Sequence, residues 1–356
     1  EELVARIDSP TWAPTIISIE ELFFKLSKFE KADDSELLMS LYNLVKKTPG
    51  HTDEPFDGFC KWAPALLADF NDVDAWLADP KQLFTNLSDI KVIEHWSLGE
   101  PDLTDFQKKY LQFWNHISNW YYQLRDATLK ENKAWSGLAY RHVAENISAV
   151  TEQSPWKHFV FAGFNALSSS EEKLFSTLSE SGKADILWDA DRYYLEDNVN
   201  EAGKFLRRNK QKLFGAKNNS VRDFQHVHDD FVTTPKSITL IAAARSVSQA
   251  RAVAGYLEKE GVNFIPSETA IVLADEQLLM PMLNAIPSRF TDVNITMGYP
   301  MRNTPVYSLL IILFSLQENA ARFNIYSTNG DLKFYHHDVI RLMRHPYIIA
   351  STAKPE

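Results

Sequence analysis

A single cysteine, Cys60, in 356 residues excludes an internal disulfide, and no zinc-type cysteine pairing can be drawn. Cys60 reads as a small buried residue. No apolar run approaches the roughly 20 residues that span a bilayer, and no basic-then-apolar leader opens the chain, so the expectation is a cytoplasmic protein without a membrane partner. Positive charge is also short. The 37 Lys and Arg face 47 Asp and Glu, a net charge of −10. A free-standing nucleic-acid binder needs a concentrated basic face; this balance leaves room only for a local groove within a larger assembly. Two sequence motifs are missing as well. Without G-x-x-x-x-G-K-[ST] no ordinary P-loop ATP site can form, and without G-x-S-x-G there is no recognisable serine nucleophile.

What is present is a globular composition, 45% hydrophobic and 24% charged, in a chain longer than one ordinary core, so two or more domains are expected. The chain is organised around Lys157 to Asp191. Here a short apolar run, His158 to Phe161, reaches Gly163 and a polar loop. Ser168 to Ser170 supply N-caps, and Leu174, Phe175 and Leu178 fall at helical spacing. Gly182 stops that helix, and a second apolar run, Ala184 to Trp188, ends in Asp189 and Asp191. Strand, helix, strand is the unit of a parallel sheet, and ligands of such sheets sit beyond the carboxyl ends of the strands. Continuous apolar runs predict strands buried on both faces.

Before this unit, Glu1 to Ile7 reads as the end of a helix, Thr15 to Ile19 as a short β-branched strand and Glu20 to Phe29 as an amphipathic helix. From Asp33 to Ser148 the pattern is helical. Ser35 is placed to cap a helix over Leu37 to Val45; Phe56 to Phe70 is helical but interrupted at Pro64; Phe106 to Leu129 is a long aromatic helix. Asp69, Asp72 and Asp74 lack the glycine and terminal glutamate of a calcium loop, so they read as surface and capping carboxylates. Trp114, Trp120, Tyr121 and Tyr122 read as core in preference to a base-stacking platform. After the central unit, Glu201 to Leu213 forms the densest basic helix, with Arg207, Arg208 and Lys210 either on a solvated face or on phosphate. His226, His228, Asp229 and Asp230, like His336, His337 and Asp338, are not spaced as a metal site. From Ser237 a second α/β unit is expected, with strands at Ile238 to Ala242, Thr269 to Leu273 and Val293 to Thr296 and helices at Ser248 to Glu260, Gln277 to Ala285 and Tyr307 to Asn319.

The phrases FAGFNALSSSEE, ILWDADRYY, EAGKFLRR and NITMGYP resemble the AddB-like group, the inactivated superfamily I helicase subunit of bacterial helicase–nuclease complexes, in forms that also carry a PD-(D/E)XK nuclease. In that alignment of patterns Ala162 and Gly163 stand in the Asp-Glu places of Walker B, Phe164 in the aromatic place and Glu171 in the place of a later Gln. Trp188, Asp189 and Arg192 stand in a Gly-Asp-x-x-Gln pattern. Walker B needs the Asp to hold Mg²⁺ and the Glu to position water; alanine and glycine do neither.

The resemblance implies an α/β fold, RecA-like parallel sheets carrying a large all-helical insertion. Residues 1–32 and 149–235 would form an incomplete first RecA-like domain, 33–148 the helical insertion, 236–305 the start of a second RecA-like domain and 306–356 the start of a second insertion. A P-loop region would lie upstream of Glu1 and the nuclease motif beyond Glu356, making the chain a truncated fragment. The implied role is a non-catalytic scaffold in double-strand-break repair, without cofactor, metal or catalytic residue of its own. Its partners would be single-stranded DNA and a helicase or nuclease subunit. Arg207, Arg208, Lys210, Arg245 and Ser246 are the candidate DNA contacts. Two alternatives remain: an ATP-dependent helicase whose P-loop lies upstream, and an interaction module without DNA contact. One decoy is set aside. The run TAIVLADEQ ends in Asp275-Glu276-Gln277, but it lies in the second unit, where Asp275 reads as an N-cap.

Overall fold

The computed structural model describes residues 14–94, 105–214, 227–260, 265–324 and 333–352. The helix end expected at Glu1 to Ile7, and His226, lie outside them. The chain divides into two compact units, Glu1–Pro235 and Lys236–Glu356.

The first unit opens on helix α1, Ile19–Ser27, where Ser18 accepts the Glu21 N–H at 3.1 Å and Glu20 and Glu21 occupy the dipole-favoured first turn. The residues before it form no strand, and Ile16 is exposed; the β-branched run lacks a ladder partner. Strand β1, Glu30–Lys31, instead pairs in parallel with a distant strand. Helix α2, Asp34–Lys46, is capped by Asp33 and not by Ser35: the Asp33 carboxylate accepts from the backbone N–H groups of Ser35 and Glu36. Helix α3, Phe56–Phe59, and helix α4, Ala63–Ala75, break apart where Pro64 takes a first-turn position, the one place in a helix where its missing N–H costs nothing. Helices α5, Pro80–Glu94, and α6, Asp105–Lys130, pack on each other. Trp120 and Tyr121 of α6 are fully enclosed in a core with Phe59, Phe70, Leu41 and Val45. Cys60 packs half-buried at its edge. Strand β2, Lys133–Ala134, is the partner of β1, and α7, Ser136–Glu145, and α8, Ile147–Glu152, lead out of this helical region.

A second core gathers around strand β3, Phe159–Ala162. Helix α9, Ser169–Glu180, follows, and strand β4, Ala184–Leu187, returns parallel to β3 in the register Phe159↔Ala184 to Ala162↔Leu187. Ser168 and Glu171 form a reciprocal capping box at the start of α9, and Gly182 takes a left-handed φ of 69° after its end. Phe161 stacks on Phe175 of α9 at 3.9 Å. The sheet is covered on one face only. Phe159 and Phe161 are buried while Val160 is 59% exposed and Leu187 40%, which corrects the expectation of strands buried on both faces; the period-2 pleat turns alternate side chains outward where no second layer covers them. Strand β5, Ala190–Asp191, helix α10, Arg192–Glu196, and helix α11, Lys204–Phe214, follow, and β6, Val227–His228, pairs in parallel with β5 before helix α12, Asp230–Thr233. The unit is a mostly helical α/β arrangement with small parallel sheets.

In the second unit the expected helices form and the expected strands do not. Helix α13 covers Ser246–Glu260, α14 Leu279–Ala285 after a 3₁₀ turn, α15 Pro305–Asn324, α16 His336–Met343 and α17 Pro346–Thr352. Ile238 to Ala242, Ile271 to Leu273 and Val293 to Thr296 form no strand, and Leu240 and Val272 are 93% and 89% exposed. β-Branched residues suit a pleated surface, yet a strand exists only through a paired neighbour. Asp338 is buried and accepts from Asn319 Nδ2 at 2.6 Å, which ties α16 to α15.

Candidate nucleic-acid interface

The carboxyl end of β3 places Ala162 and Gly163 at the surface, with Gly163 at a left-handed φ of 80°. Their side chains, a methyl group and a hydrogen, offer no oxygen for a metal ion and no base for water. The loop that follows is anchored to α11: buried Asn209 donates its Nδ2 to the Asn165 carbonyl at 2.7 Å. Among the described residues there is no cluster of three or more His, Cys, Asp or Glu side chains that could hold a metal ion. His228 Nδ1 lies 3.7 Å from an Asp230 carboxylate oxygen.

The structure sends the arginines of α11 to different places. Leu206, Asn209 and Leu213 face inward. On one flank, Arg207 donates through Nη1 to the carbonyls of Tyr194 and Asp197 and through Nη2 to those of Asn198 and Asn200. It is the pin of the 194–200 loop. Gly203 lies beneath: any Cβ there would collide with the Tyr194 carbonyl and with the Arg207 guanidinium. On the other flank, Arg208 donates to Glu172 Oε1 at 2.8 Å, and Lys212 to Glu172 Oε2 at 2.6 Å. Lys210 is exposed on α11. Arg245 and Ser246 are exposed at the start of α13, where the Arg245 carbonyl accepts the Gln249 N–H at 2.9 Å; they belong to the second unit. Arg207 and Arg208 therefore share a helix but not a groove.

One aromatic neighbour of this flank was not legible in the sequence. Trp76 caps the end of α4, remains 46% exposed and has the Arg208 guanidinium 5.9 Å from its ring centre. Its approach joins segments more than a hundred residues apart, and no local spacing announces it.

A buried charge centre lies in the helical region without a local signal in the sequence. Asp74, read as a surface carboxylate, is completely enclosed. It accepts from Tyr121 OH at 2.6 Å, Trp135 Nε1 at 2.9 Å and Arg141 Nε at 2.6 Å. Arg141 also donates Nη2 to the carbonyls of Val73 and Ala78. Burial pushes the Asp74 carboxyl above the usual carboxylate range, with the hydrogen bonds of Tyr121 and Arg141 pulling the other way. Burial, then the Asp74 charge, pushes the Tyr121 hydroxyl up, so it stays a donor. For Arg141, burial is the largest influence and lowers its pKa, but the hydrogen bond and charge of Asp74 more than reverse that. This centre joins α4, α6 and α7; it sits inside the helical region and is not open to a ligand.

The second unit contains a pair that imitates a nucleophile and its base. Ser308 Oγ lies 2.9 Å from His345 Nε2. The proton inventory argues against that role. His345 Nδ1 accepts the Tyr347 N–H and Ser308 Oγ donates to the Pro305 carbonyl, so Nε2 carries the proton and faces Ser308 and the Pro305 carbonyl as a donor. The pair fastens the start of α15 to the turn between α16 and α17. Among the described residues, no helix is long and apolar enough to cross a membrane. No family model matches the chain, and no curated protein matches it.

Proposed function

We propose that the chain is a non-catalytic, helicase-like scaffold of a DNA double-strand-break repair helicase–nuclease, in which RecA-like units hold single-stranded DNA and a motor partner. The observation that carries this reading is the parallel β3–α9–β4 unit whose strand end presents Ala162 and Gly163. It has the connectivity of a nucleotide-binding sheet without side chains for Mg²⁺ or for water. The test combines two measurements on the purified full-length protein: ATP hydrolysis, and binding of a labelled oligothymidylate followed by anisotropy across a salt series. The expected result is strand binding that weakens with salt and no ATP hydrolysis. ATP turnover would replace this reading with that of an active helicase.

A second reading, an interaction module without DNA contact, is favoured by one observation. Arg207 and Arg208 are engaged by backbone carbonyls and by Glu172. Strand affinity that is absent at low salt would select it.

A further inference from the structure

We infer that Trp76, Arg208 and Lys212 form a seat for one nucleotide of a single strand, and that Glu172 occupies its phosphate position in the free protein. The inference rests on the strand-binding part of the proposed function and names the site for it. Trp76 is fixed by the end of α4, where its N–H donates to the Asp72 carbonyl at 2.9 Å, and it presents a 46% exposed ring. Arg208 lies 5.9 Å from that ring centre and bonds Glu172 at 2.8 Å, while Lys212 bonds the same carboxylate at 2.6 Å. The Glu172 side chain is only 13% exposed, against 37% for Arg208 and 46% for Lys212. The carboxylate is thus the inner member and the cations are the outer ones. Lys212 and Glu172 line a shallow groove of about 330 Å³ with Ser169, Lys173, Ser176 and Leu213.

The chemistry singles out a nucleotide. Glu172 shows that two cations here already grip an anionic oxygen pair. A strand phosphodiester brings the same single charge on a pair of non-bridging oxygens and competes for the same donors. Two cations, Arg208 and Lys212, hold one carboxylate, and Lys173 lines the same groove, so these four groups together are positive on a chain whose net charge is −10. An acidic peptide would use those cations and leave the indole without a partner. A strand uses both, with a base on Trp76 and its phosphate beside Arg208 and Lys212.

The experiment measures anisotropy of a labelled oligothymidylate with the purified protein from low to moderate salt. Trp76→Ala should weaken binding about 5- to 100-fold without altering the salt slope, because stacking releases no counterions, and Trp76→Phe should keep most of the affinity. Lys212→Gln should flatten the slope by about 0.7. Glu172→Gln should strengthen binding by releasing both cations. Wild-type affinity in both Trp76→Ala and Lys212→Gln would overturn the seat while leaving strand binding intact. No strand binding by the wild-type protein would overturn the seat and the function together. Weaker binding by Glu172→Gln would overturn the competing role of that carboxylate. Polyglutamate binding that depends on Lys212 and ignores Trp76, matched by the same pattern for the strand, would make the groove a charge-only peptide surface.

Discussion

Replacing Arg141 by Met tests the buried charge centre more sharply than any other substitution. Arg141 is 14% exposed at its side chain and Asp74 is fully enclosed. Methionine keeps much of the aliphatic bulk, removes the guanidinium and leaves Asp74 with Tyr121 and Trp135 as donors. The Ala78 carbonyl loses the Arg141 donor at the same time, as does that of Val73, which keeps the Ala78 N–H at 3.0 Å. Removing one member of a buried pair costs about 3–5 kcal/mol, because the other charge remains without compensation. At a urea dependence of about 2 kcal/mol per molar, the midpoint should fall by roughly 1.5–2.5 M. Tryptophan fluorescence is the natural probe, since all nine tryptophans precede residue 236 and the signal reports the first unit alone. Glu145→Gln is the control: its pair with Arg141 at 3.3 Å is exposed on the Glu145 side and should contribute less than about 0.5 kcal/mol.

The pH dependence has a definite sign. Burial already raises the Asp74 pKa above 3.8, and the charge of Arg141 opposes that rise. Without Arg141 the folded-state value rises further. A raised folded value means that the folded protein holds its proton longer than the unfolded chain does, so stability is fully present below the unfolded value and is lost as pH climbs through the folded one. The loss therefore extends to higher pH in Arg141→Met than in the wild type. The gap between the two proteins should be smallest near pH 4 and widest at neutral pH. A urea midpoint within about 0.5 M of wild type, or a gap that ignores pH, would refute the claim that Arg141 compensates a buried charge.

Four further outcomes follow from single contacts. Ser168→Ala should cost about 0.5–2 kcal/mol in thermal unfolding by removing the capping box of α9; an unchanged melting temperature would mean that water replaces the cap. Gly203→Ala should destabilise by about 1–3 kcal/mol in fluorescence-detected urea unfolding, because its methyl collides with the Tyr194 carbonyl; full stability would show that the 194–200 loop yields freely. Arg207→Gln should lower stability in the same assay yet leave the salt slope of strand binding unchanged, since its donors serve four carbonyls; a slope reduced by about 0.7 would move Arg207 onto phosphate. Asp275→Asn with Glu276→Gln should cost at most about 1–2 kcal/mol, because Asp275 Oδ1 accepts the Gln277 N–H as an N-cap; any ATP turnover by the purified protein that disappears on this double change would make TAIVLADEQ catalytic.

The sequence was most legible where the determinants of a structure are local. The α9 signals (Ser168, Glu171, Gly182) all lie within or beside that helix, and it forms with those ends. The break before α4 could likewise be read from Pro64. Even locally, competition between similar residues defeats the reading. Asp33 and Ser35 both make caps, and the carboxylate took the role because its Oδ1 reaches the Ser35 N–H at 2.8 Å.

Legibility fails when the partner is remote. Asp74 reads as a solvated carboxylate beside Asp69 and Asp72, and its three donors stand 47, 61 and 67 residues further along. No window on the sequence contains them together. The same holds for strands: Phe159 to Ala162 and Ile238 to Ala242 have similar apolar composition, but only the first finds a parallel neighbour, in Ala184–Leu187. Basic residues fail in a third way. Arg207 and Arg208 are adjacent, so a charge count places them in one patch, yet a helix turns about 100° per residue, sending one to the carbonyls of a loop and the other to Glu172. Charge density along a helix is therefore a weak guide to phosphate contact, and what distinguishes Arg208 is the exposed Trp76 brought beside it by the fold.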